Sequence, residues 1–237
     1  DIEPELAFDA GPDWRAVVSA RLRLDAENRL EPGEAVTGSY AAPSQPLTLG
    51  DHGSLELRDA YVERALGNGL VRLGKQQIVW GRLDGIKVLD LVNPQEFREF
   101  ILDEFSQSRI TLWSAYIDYS LGDWRAELAV IPDGTGHAIP EPGAWFELTA
   151  PRFRFGAAPG QPGLPVTTIR PGHSVDETGA GLRLSRQVGN TELAMLAYTG
   201  MDPEPLGRIL ATGGTPQLER YYRRRDVAGF SVDTGLG

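Results

Sequence analysis

Hydrophobic and polar residues alternate with a period of two along five segments of the chain. In residues 14–25 the tryptophan and the leucines fall on one face, and Arg15, Arg21 and Arg23 fall on the other, with Val17 as the exception. Such alternation is typical of β-strands with one apolar and one polar face. Strands are therefore predicted over residues 14–25, 110–121, 124–131, 179–185 and 227–234.

In three further segments the alternation of hydrophobic and polar residues is irregular (mixed parity), but the turns that connect them predict strands as well. These segments are residues 55–66, 70–80 and 191–200. The dipeptides Gly67-Asn68, Gly122-Asp123 and Gly189-Asn190 stand between consecutive runs, and such dipeptides favour tight hairpins. The sequence therefore predicts eight strands, most of them joined as hairpins.

The connections between the predicted strands differ sharply in length. Tight turns alternate with long connections at roughly 26–54, 81–109, 132–177 and 201–226. Loops longer than about 15 residues are uncommon in compact domains. Short periplasmic turns and long extracellular loops are typical of outer-membrane barrels. Aromatic residues near strand ends add to this pattern, since they resemble interfacial girdles: Trp14, Trp113, Tyr119 and Trp124.

These patterns predict an all-β fold, an antiparallel transmembrane β-barrel in which residues 1–237 form one domain. The alternative is a soluble β-sandwich with decorated loops, which would be purified without detergent. In a barrel the polar face of each strand borders water inside the molecule. That arrangement would explain why Arg72, Lys75 and Gln76 interrupt an otherwise apolar strand.

One short helix is predicted inside the second long connection, at about residues 94–105. Asn93 could serve as N-cap, with Pro94 in the first turn and Glu96 close to a capping-box position. Apolar residues then follow at helical spacing: Phe97, Phe100, Ile101 and Phe105. Two placements are open, a cap on the barrel rim or a constriction inside the barrel formed by Asn93, Pro94, Phe97, Arg98 and Phe100.

Composition narrows the classes of function. The formal net charge is −10, from 33 acidic and 23 basic residues, which argues against a nucleic-acid partner. The absence of cysteine excludes disulfides and thiolate metal sites. No run of about 18 apolar residues is present, and no signal peptide is visible at the start. The 28 glycines and 17 prolines favour many chain reversals.

No catalytic constellation emerges from the sequence. His52, His137 and His173 fall in predicted loops and have no second ligand at metal-motif spacing. The segment GHSVD at 172–176 lacks the final glycine of a nucleophile elbow. We therefore predict no enzyme activity, no cofactor and no metal. Arginines mixed with aromatics at 143–156 and 219–226 are either solvated loop clusters or contacts to a ligand or lipopolysaccharide.

The strand ending at Trp80 and the segment after it carry a family resemblance. Glycine, lysine and glutamine precede Trp-Gly, and an Asn-Pro follows, at Gly74, Lys75, Gln76, Trp80, Gly81, Asn93 and Pro94. This pattern resembles an uncharacterised family of Gram-negative outer-membrane porin-like β-barrel proteins. The resemblance implies a bacterial outer-membrane location. It also implies passage of a small or lipid-like solute, since such genes are often found beside resistance-nodulation-division exporters.

The resemblance also implies how long the whole barrel is. Members of that family form longer barrels, and outer-membrane chains typically end in an aromatic residue, whereas this sequence ends SVDTGLG. An eight-stranded barrel has an interior mostly filled by side chains. We therefore expect the chain to be the N-terminal portion of a longer barrel.

The expected function is that of a porin-like channel. Its predicted pore-lining residues are Arg15, Arg21, Arg23, Arg72, Gln76, Asp118, Arg125, Glu127 and Arg183. The excess of arginine among them predicts a mild preference for anions, because wall charge sets the selectivity of a pore. The alternative is a barrel scaffold or receptor that docks a periplasmic or surface partner. Expected partners are outer-membrane lipid, including lipopolysaccharide, and a periplasmic transport partner.

Overall fold

In the computed structural model, the described residues are 1–27, 39–80, 91–99, 107–140, 144–146, 164, 166–169, 178–212 and 215–234. Their regular structure is β-strand, apart from a short 3-10 helix at Ala42–Ser44. The strands are β1 (Glu5–Asp9), β2 (Trp14–Leu24), β3 (Leu47–Thr48), β4 (Gly53–Leu66), β5 (Gly69–Gln76), β6 (Leu112–Leu121), β7 (Trp124–Ile131), β8 (Val166–Ile169), β9 (Gly179–Val188), β10 (Thr191–Met201), β11 (Leu206–Thr212), β12 (Thr215–Tyr221) and β13 (Arg224–Thr234).

One antiparallel sheet of ten strands dominates the fold. Its strand order is β1-β2-β4-β5-β6-β7-β9-β10-β13, with β3 paired beside β4. The eight predicted strands all lie in this sheet, so the predicted all-β antiparallel fold is confirmed. A smaller sheet has the order β11-β12-β8 and is built from the last two of the four long connections.

The short connections lie together at one end of the large sheet. Gly67, Gly122 and Gly189 begin the two-residue turns of three hairpins, with φ of +57°, +63° and +59°. Glycine adopts this left-handed region without steric cost, and tight hairpins require it. The connection at residues 10–13 joins β1 to β2 at the same end. We call this the turn end; the long connections leave the opposite, or loop, end, as predicted.

The two faces of the large sheet are inverted relative to a soluble protein. One face exposes aliphatic and aromatic side chains, including Leu73 (56% exposed), Met195 (54%) and Phe230 (79%). The other face buries ionised side chains, including Arg21 and Arg183, which are 2% and 4% exposed. Soluble sheets bury the apolar face and solvate the polar one. These surfaces are called the apolar face and the polar face below.

A β-bulge explains the mixed parity of the strand at 53–66. Val18 pairs with Ala60 and Ala20 with Leu57, so Arg58 and Asp59 together oppose the single residue Ser19. Asp59 exchanges two hydrogen bonds with the Ser19 hydroxyl, both at 3.0 Å. An extra residue of this kind shifts the alternation by one position. Both charged residues thereby fall on the polar side of the sheet.

A strained glycine explains the mixed parity at 70–80. Gly74 has a φ of +133°, and a side chain there would lie 2.6 Å from the Tyr61 Cα and also against the Ala60 carbonyl. After Gly74, the consecutive residues Lys75 and Gln76 are both buried. The Lys75 ammonium donates to the Leu57 carbonyl at 2.6 Å. Lys75 and Gln76 are thus held inside rather than solvated.

The predicted helix at 94–105 is wrong over its described part, residues 94–99. The backbone N–H groups of Glu96 and Phe97 donate to Ser108 and Ala138 instead of starting a helix. Asn93, the proposed N-cap, accepts from the Ile78 N–H at 2.8 Å. Long-range partners therefore use the groups that a helix would need. Residues 100–105, including Phe100, lie outside the described residues.

The predicted girdle aromatics divide between the two ends. Trp14, Tyr119 and Trp124 are exposed on the apolar face near the turn end. Trp113 lies at the loop end, where its indole N–H donates to the Pro43 carbonyl at 3.1 Å. Among the described residues, no helix has the length and apolar character needed to cross a membrane.

Candidate functional site: the polar face and its inner layer

The sheet brings the predicted pore-lining residues to one surface. The structure places all of them on the polar face, in strands β2, β5, β6, β7 and β9. Arg21, Arg23, Gln76, Glu127 and Arg183 are buried there. The remaining members lie toward the turn end and are more accessible: Arg15, Arg72, Asp118 and Arg125. Alternation identified most of this surface, although Arg72 and Gln76 come from a segment in which the alternation is irregular.

Carboxylates neutralise most of the arginines on this face. The Arg72 guanidinium contacts Glu63, its cross-strand neighbour, at 2.5 Å. Arg125 forms a two-point contact with Asp118, at 2.9 and 2.6 Å. Arg183 bridges Glu127 and Glu192. Carboxylate partners therefore compensate most, though not all, of the arginine excess predicted from the sequence for this surface.

Loop segments cover the loop-end half of the polar face. We call these segments the inner layer; they comprise residues 39–45, 77–80, 91–99, 107–111 and 132–140. They are joined by backbone hydrogen bonds such as Gly136 N–H to Ser39 O at 2.6 Å and Ala138 N–H to Gln95 O at 3.0 Å. Ile110 and Ala138 are completely buried within it. The inner layer is thus a packed structure rather than an open set of loops.

A buried charged cluster fastens the inner layer to the sheet. Arg98 clasps the Glu96 carboxylate through two hydrogen bonds, of 3.0 and 2.8 Å. Arg23, which projects from β2, forms an ion pair with Glu99 and lies 3.9 Å from Glu96. The Tyr40 hydroxyl donates to Glu96 at 3.3 Å. Buried charges require such complete pairing, because an unpaired ion in this position is strongly destabilising.

This cluster shifts the ionisation of its members. Burial opposes ionisation of Glu96, but the charge and hydrogen bonds of Arg98, with Arg23, hold the pKa of that carboxyl below its ordinary value. Burial, reinforced by the negative charge of Glu96, raises the pKa of Tyr40 well above 10. Glu96 therefore stays ionised and Tyr40 stays neutral across the physiological pH range.

An aromatic cluster forms the second contact between the inner layer and the sheet. Trp80 lies over Gly181, where an added side chain would collide with the indole ring. Tyr198 lies across the same glycine and Gly179, and both aromatic residues are buried. The glycines give a flat floor that larger residues would fill. The sequence indicated Trp80 only as part of a motif and gave no sign of this floor.

A small pocket that is open to solvent lies beside this cluster. Its lining is mixed, with apolar residues such as Val92 and Ile131 beside Asp133 and Thr135. Asp133 is already occupied, since it accepts from the Ser44 hydroxyl at 2.5 Å and from the Thr135 hydroxyl at 2.6 Å. The pocket therefore presents no free charged group from Asp133 to a ligand.

Asn93, from the Asn-Pro dipeptide after Trp80, links several segments of the inner layer. Its carbonyl oxygen accepts from the Ile78 N–H at 2.8 Å, and its amide donates to the Ile110 carbonyl at 2.7 Å. The side chain is buried, and it joins three segments of the inner layer. Sequence reasoning assigned Asn93 to a helix cap, because only the local pattern is visible there.

Replacing Asn93 with alanine should destabilise the protein by about 2–4 kcal/mol, because two buried backbone groups would lose their partners. The free energy of unfolding, measured by denaturant titration in detergent, tests this. Asn190→Ala, in an exposed turn, is the control and should cost less than about 1 kcal/mol. A loss for Asn93→Ala no larger than that of the control would contradict the assigned role.

Other candidate residues take structural positions or lie outside the described residues. Of the arginine-rich segment 219–226, Arg225 donates to the Leu91 carbonyl at 2.8 Å and Arg223 lies over the Tyr221 ring. Residues 147–156 and His173 are not described. Within the described ranges, no group of three or more histidine and acidic side chains is arranged to hold a metal ion.

These observations define the class of the protein: an all-β protein whose main sheet exposes an apolar face and buries a charged one. The chain belongs to the family DUF1302, described as a protein of unknown function, whose family model matches residues 1–237. Comparison with curated proteins finds no match.

Proposed function

We propose that the protein is an outer-membrane, porin-like channel for small or lipid-like solutes. The inversion of the two sheet faces carries this proposal. In a bilayer the exposed leucines, methionine and phenylalanine of the apolar face would contact acyl chains, and the paired charges of the polar face would border water. The alternation of short turns with long connections supports the same conclusion.

The proposal includes closure of the large sheet into a barrel. In the observed strand order β1 and β13 are the two ends of the large sheet. Open sheet edges are not stable in lipid, because their backbone groups have no partners. Closure would join these edges to each other or to further strands of a longer barrel, as the family resemblance suggests.

Membrane insertion is tested before conduction. The protein should require detergent to remain soluble, and the unheated and heated forms should differ in gel mobility. Folded protein is then added to a planar lipid bilayer, where stepwise conductance is expected. A protein that stays soluble and monomeric without detergent would overturn the proposal.

A matched pair of variants tests whether the polar face lines the path. Arg125 and Asp118 contact each other on its accessible half. Asp118→Asn should leave Arg125 uncompensated and shift the reversal potential in a salt gradient toward anion selectivity. Arg125→Gln should shift it toward cations, because Asp118 is then uncompensated. Each variant is the control for the other. If the two reversal potentials shift in the same direction, or do not shift, Arg125 and Asp118 do not line the conduction path.

A second function, a scaffold or receptor that docks a partner, is favoured by one observation. The small sheet at the loop-end connections exposes Ile169 and Leu206, which flank Tyr221 of β12 in one cross-strand row. Contiguous exposed apolar residues are a feature of docking surfaces. This function predicts no conductance by the isolated protein and co-purification with a partner that is lost in Leu206→Ser.

A further inference from the structure

Two cross-strand pairs of arginine and tryptophan recur on the apolar face. The Arg64 guanidinium lies over the Trp14 ring, 5.1 Å from its centroid, and Arg186 lies over Trp124 at 5.6 Å. Each arginine is the direct register partner of its tryptophan, on β2–β4 and on β7–β9. The same pair is therefore built twice, on separate pairs of strands.

Both pairs lie at the same level of the sheet. Arg64 and Arg186 each precede a turn glycine by three residues, as Tyr119 does in the hairpin between them. Trp14 and Trp124 each begin a strand directly after a short connection. We call these residues the turn-end belt. It separates the aliphatic part of the apolar face from the turns.

The belt arginines differ from those of the polar face in their charge partners. In the described part of the chain, Arg64 has no carboxylate within ion-pair distance. Among the described carboxylates, Arg186 contacts only Asp123, at 3.3 Å, and both side chains are exposed. Exposed pairs of this kind are weak. The belt therefore presents outward the charge of Arg64 and the weakly paired charge of Arg186, beside aliphatic surface.

This combination matches one ligand chemistry. A guanidinium held over an indole ring keeps its N–H groups free at the edge, where they can bind a phosphate through two hydrogen bonds. Tryptophan is favoured at the level of lipid headgroups. Aliphatic side chains directly beside the pair would contact acyl chains.

We propose that the two Arg–Trp pairs bind the headgroup phosphates of glycerophospholipids and fix the depth of the turn end in the bilayer. The inference rests on the membrane insertion proposed above. It adds a specific lipid contact that neither alternation nor an aromatic girdle requires. Arginine is needed rather than lysine, because only the planar guanidinium group donates two parallel hydrogen bonds to one phosphate.

Lipid retention by the full chain tests the proposal. The folded protein is reconstituted in nanodiscs that contain phosphatidylglycerol and a phosphate-free galactolipid, and retained lipids are counted by native mass spectrometry. The wild type should retain phosphatidylglycerol in preference to galactolipid. The double variant Arg64→Gln/Arg186→Gln should retain about two fewer phospholipids, one for each guanidinium lost. Arg64→Lys/Arg186→Lys should retain an intermediate number.

Arg208→Gln is the matched control, because Arg208 also lies over an aromatic ring, that of Tyr221 at 5.1 Å, but belongs to the small sheet. It should retain phospholipid like the wild type. Equal retention by the wild type and the double variant, or equal retention of both lipids, would overturn the inference while leaving the channel proposal intact. Failure of the wild type to enter nanodiscs would overturn both.

Discussion

Replacing Gly74 with alanine should prevent stable folding or lower the free energy of unfolding by more than about 3 kcal/mol. Two causes combine. The φ of +133° is strained for any residue with a Cβ, and that Cβ would lie against the backbone of Ala60 and Tyr61 in β4. Backbone atoms cannot move aside as the end of a side chain can. The strand pairing of β4 and β5 would therefore have to shift.

Gly11→Ala is the control for this experiment. Gly11 also has a positive φ, of +82°, but nothing lies within 4 Å of the position that a side chain would take. Alanine there should cost about 1–2 kcal/mol, from backbone strain alone. Denaturant titration and the yield of the heat-modifiable folded form measure both variants. Equal losses would show that close approach of β4 to Gly74 is unimportant.

Replacing Glu96 with alanine should lower the free energy of unfolding by about 3–5 kcal/mol, because it leaves Arg98 and Arg23 buried with an incomplete set of carboxylates. Asp123→Ala is the matched control, since it removes one acid from an exposed ion pair. The control should change the stability by less than about 1 kcal/mol. A loss for Glu96→Ala as small as that of the control would show that the cluster does not hold the inner layer.

The ionisation of Glu96 should also make the free energy of unfolding depend on pH. The pKa of Glu96 is lowered in the folded protein, so its contribution is fully present above the unfolded pKa of glutamate, about 4.3. It is lost as the pH falls below that value through the lower folded pKa. The stability difference between wild type and Glu96→Gln, measured by titration at several pH values, should therefore shrink only in acid. A difference that instead grows as the pH falls would contradict the assigned ion pair.

Much of the large sheet could be predicted because its signals are local. A strand with an exposed apolar face and a buried charged face must alternate, and Gly-Asn or Gly-Asp dipeptides mark the hairpins. The placement of Arg21, Arg183 and Glu127 on one face follows from that alternation. Strand β1 was not predicted, because five residues with two apolar positions, Leu6 and Phe8, give too short a pattern.

The inner layer could not be predicted, because its contacts join residues far apart in sequence. Asn93 and Pro94 carry a helix-start signal, yet their segment pairs with residues 107–111 and 138. The pairing of most arginines on the polar face with carboxylates could not be predicted, for a related reason. Alternation shows on which face Arg183 lies, but only the strand register shows that Glu127 stands opposite it.

The β-bulge at Arg58 and Asp59 restricts which changes in the length of β4 the sheet can accept. Removing either residue would restore strict alternation from Gly53 to Leu66, while both neighbouring strands kept their register. Every side chain on one side of the cut would then change faces: Tyr61 and Glu63 would turn toward the apolar face, and Val62 would turn toward the polar face. A one-residue deletion at this bulge should therefore be far more disruptive than the same deletion in a surface loop.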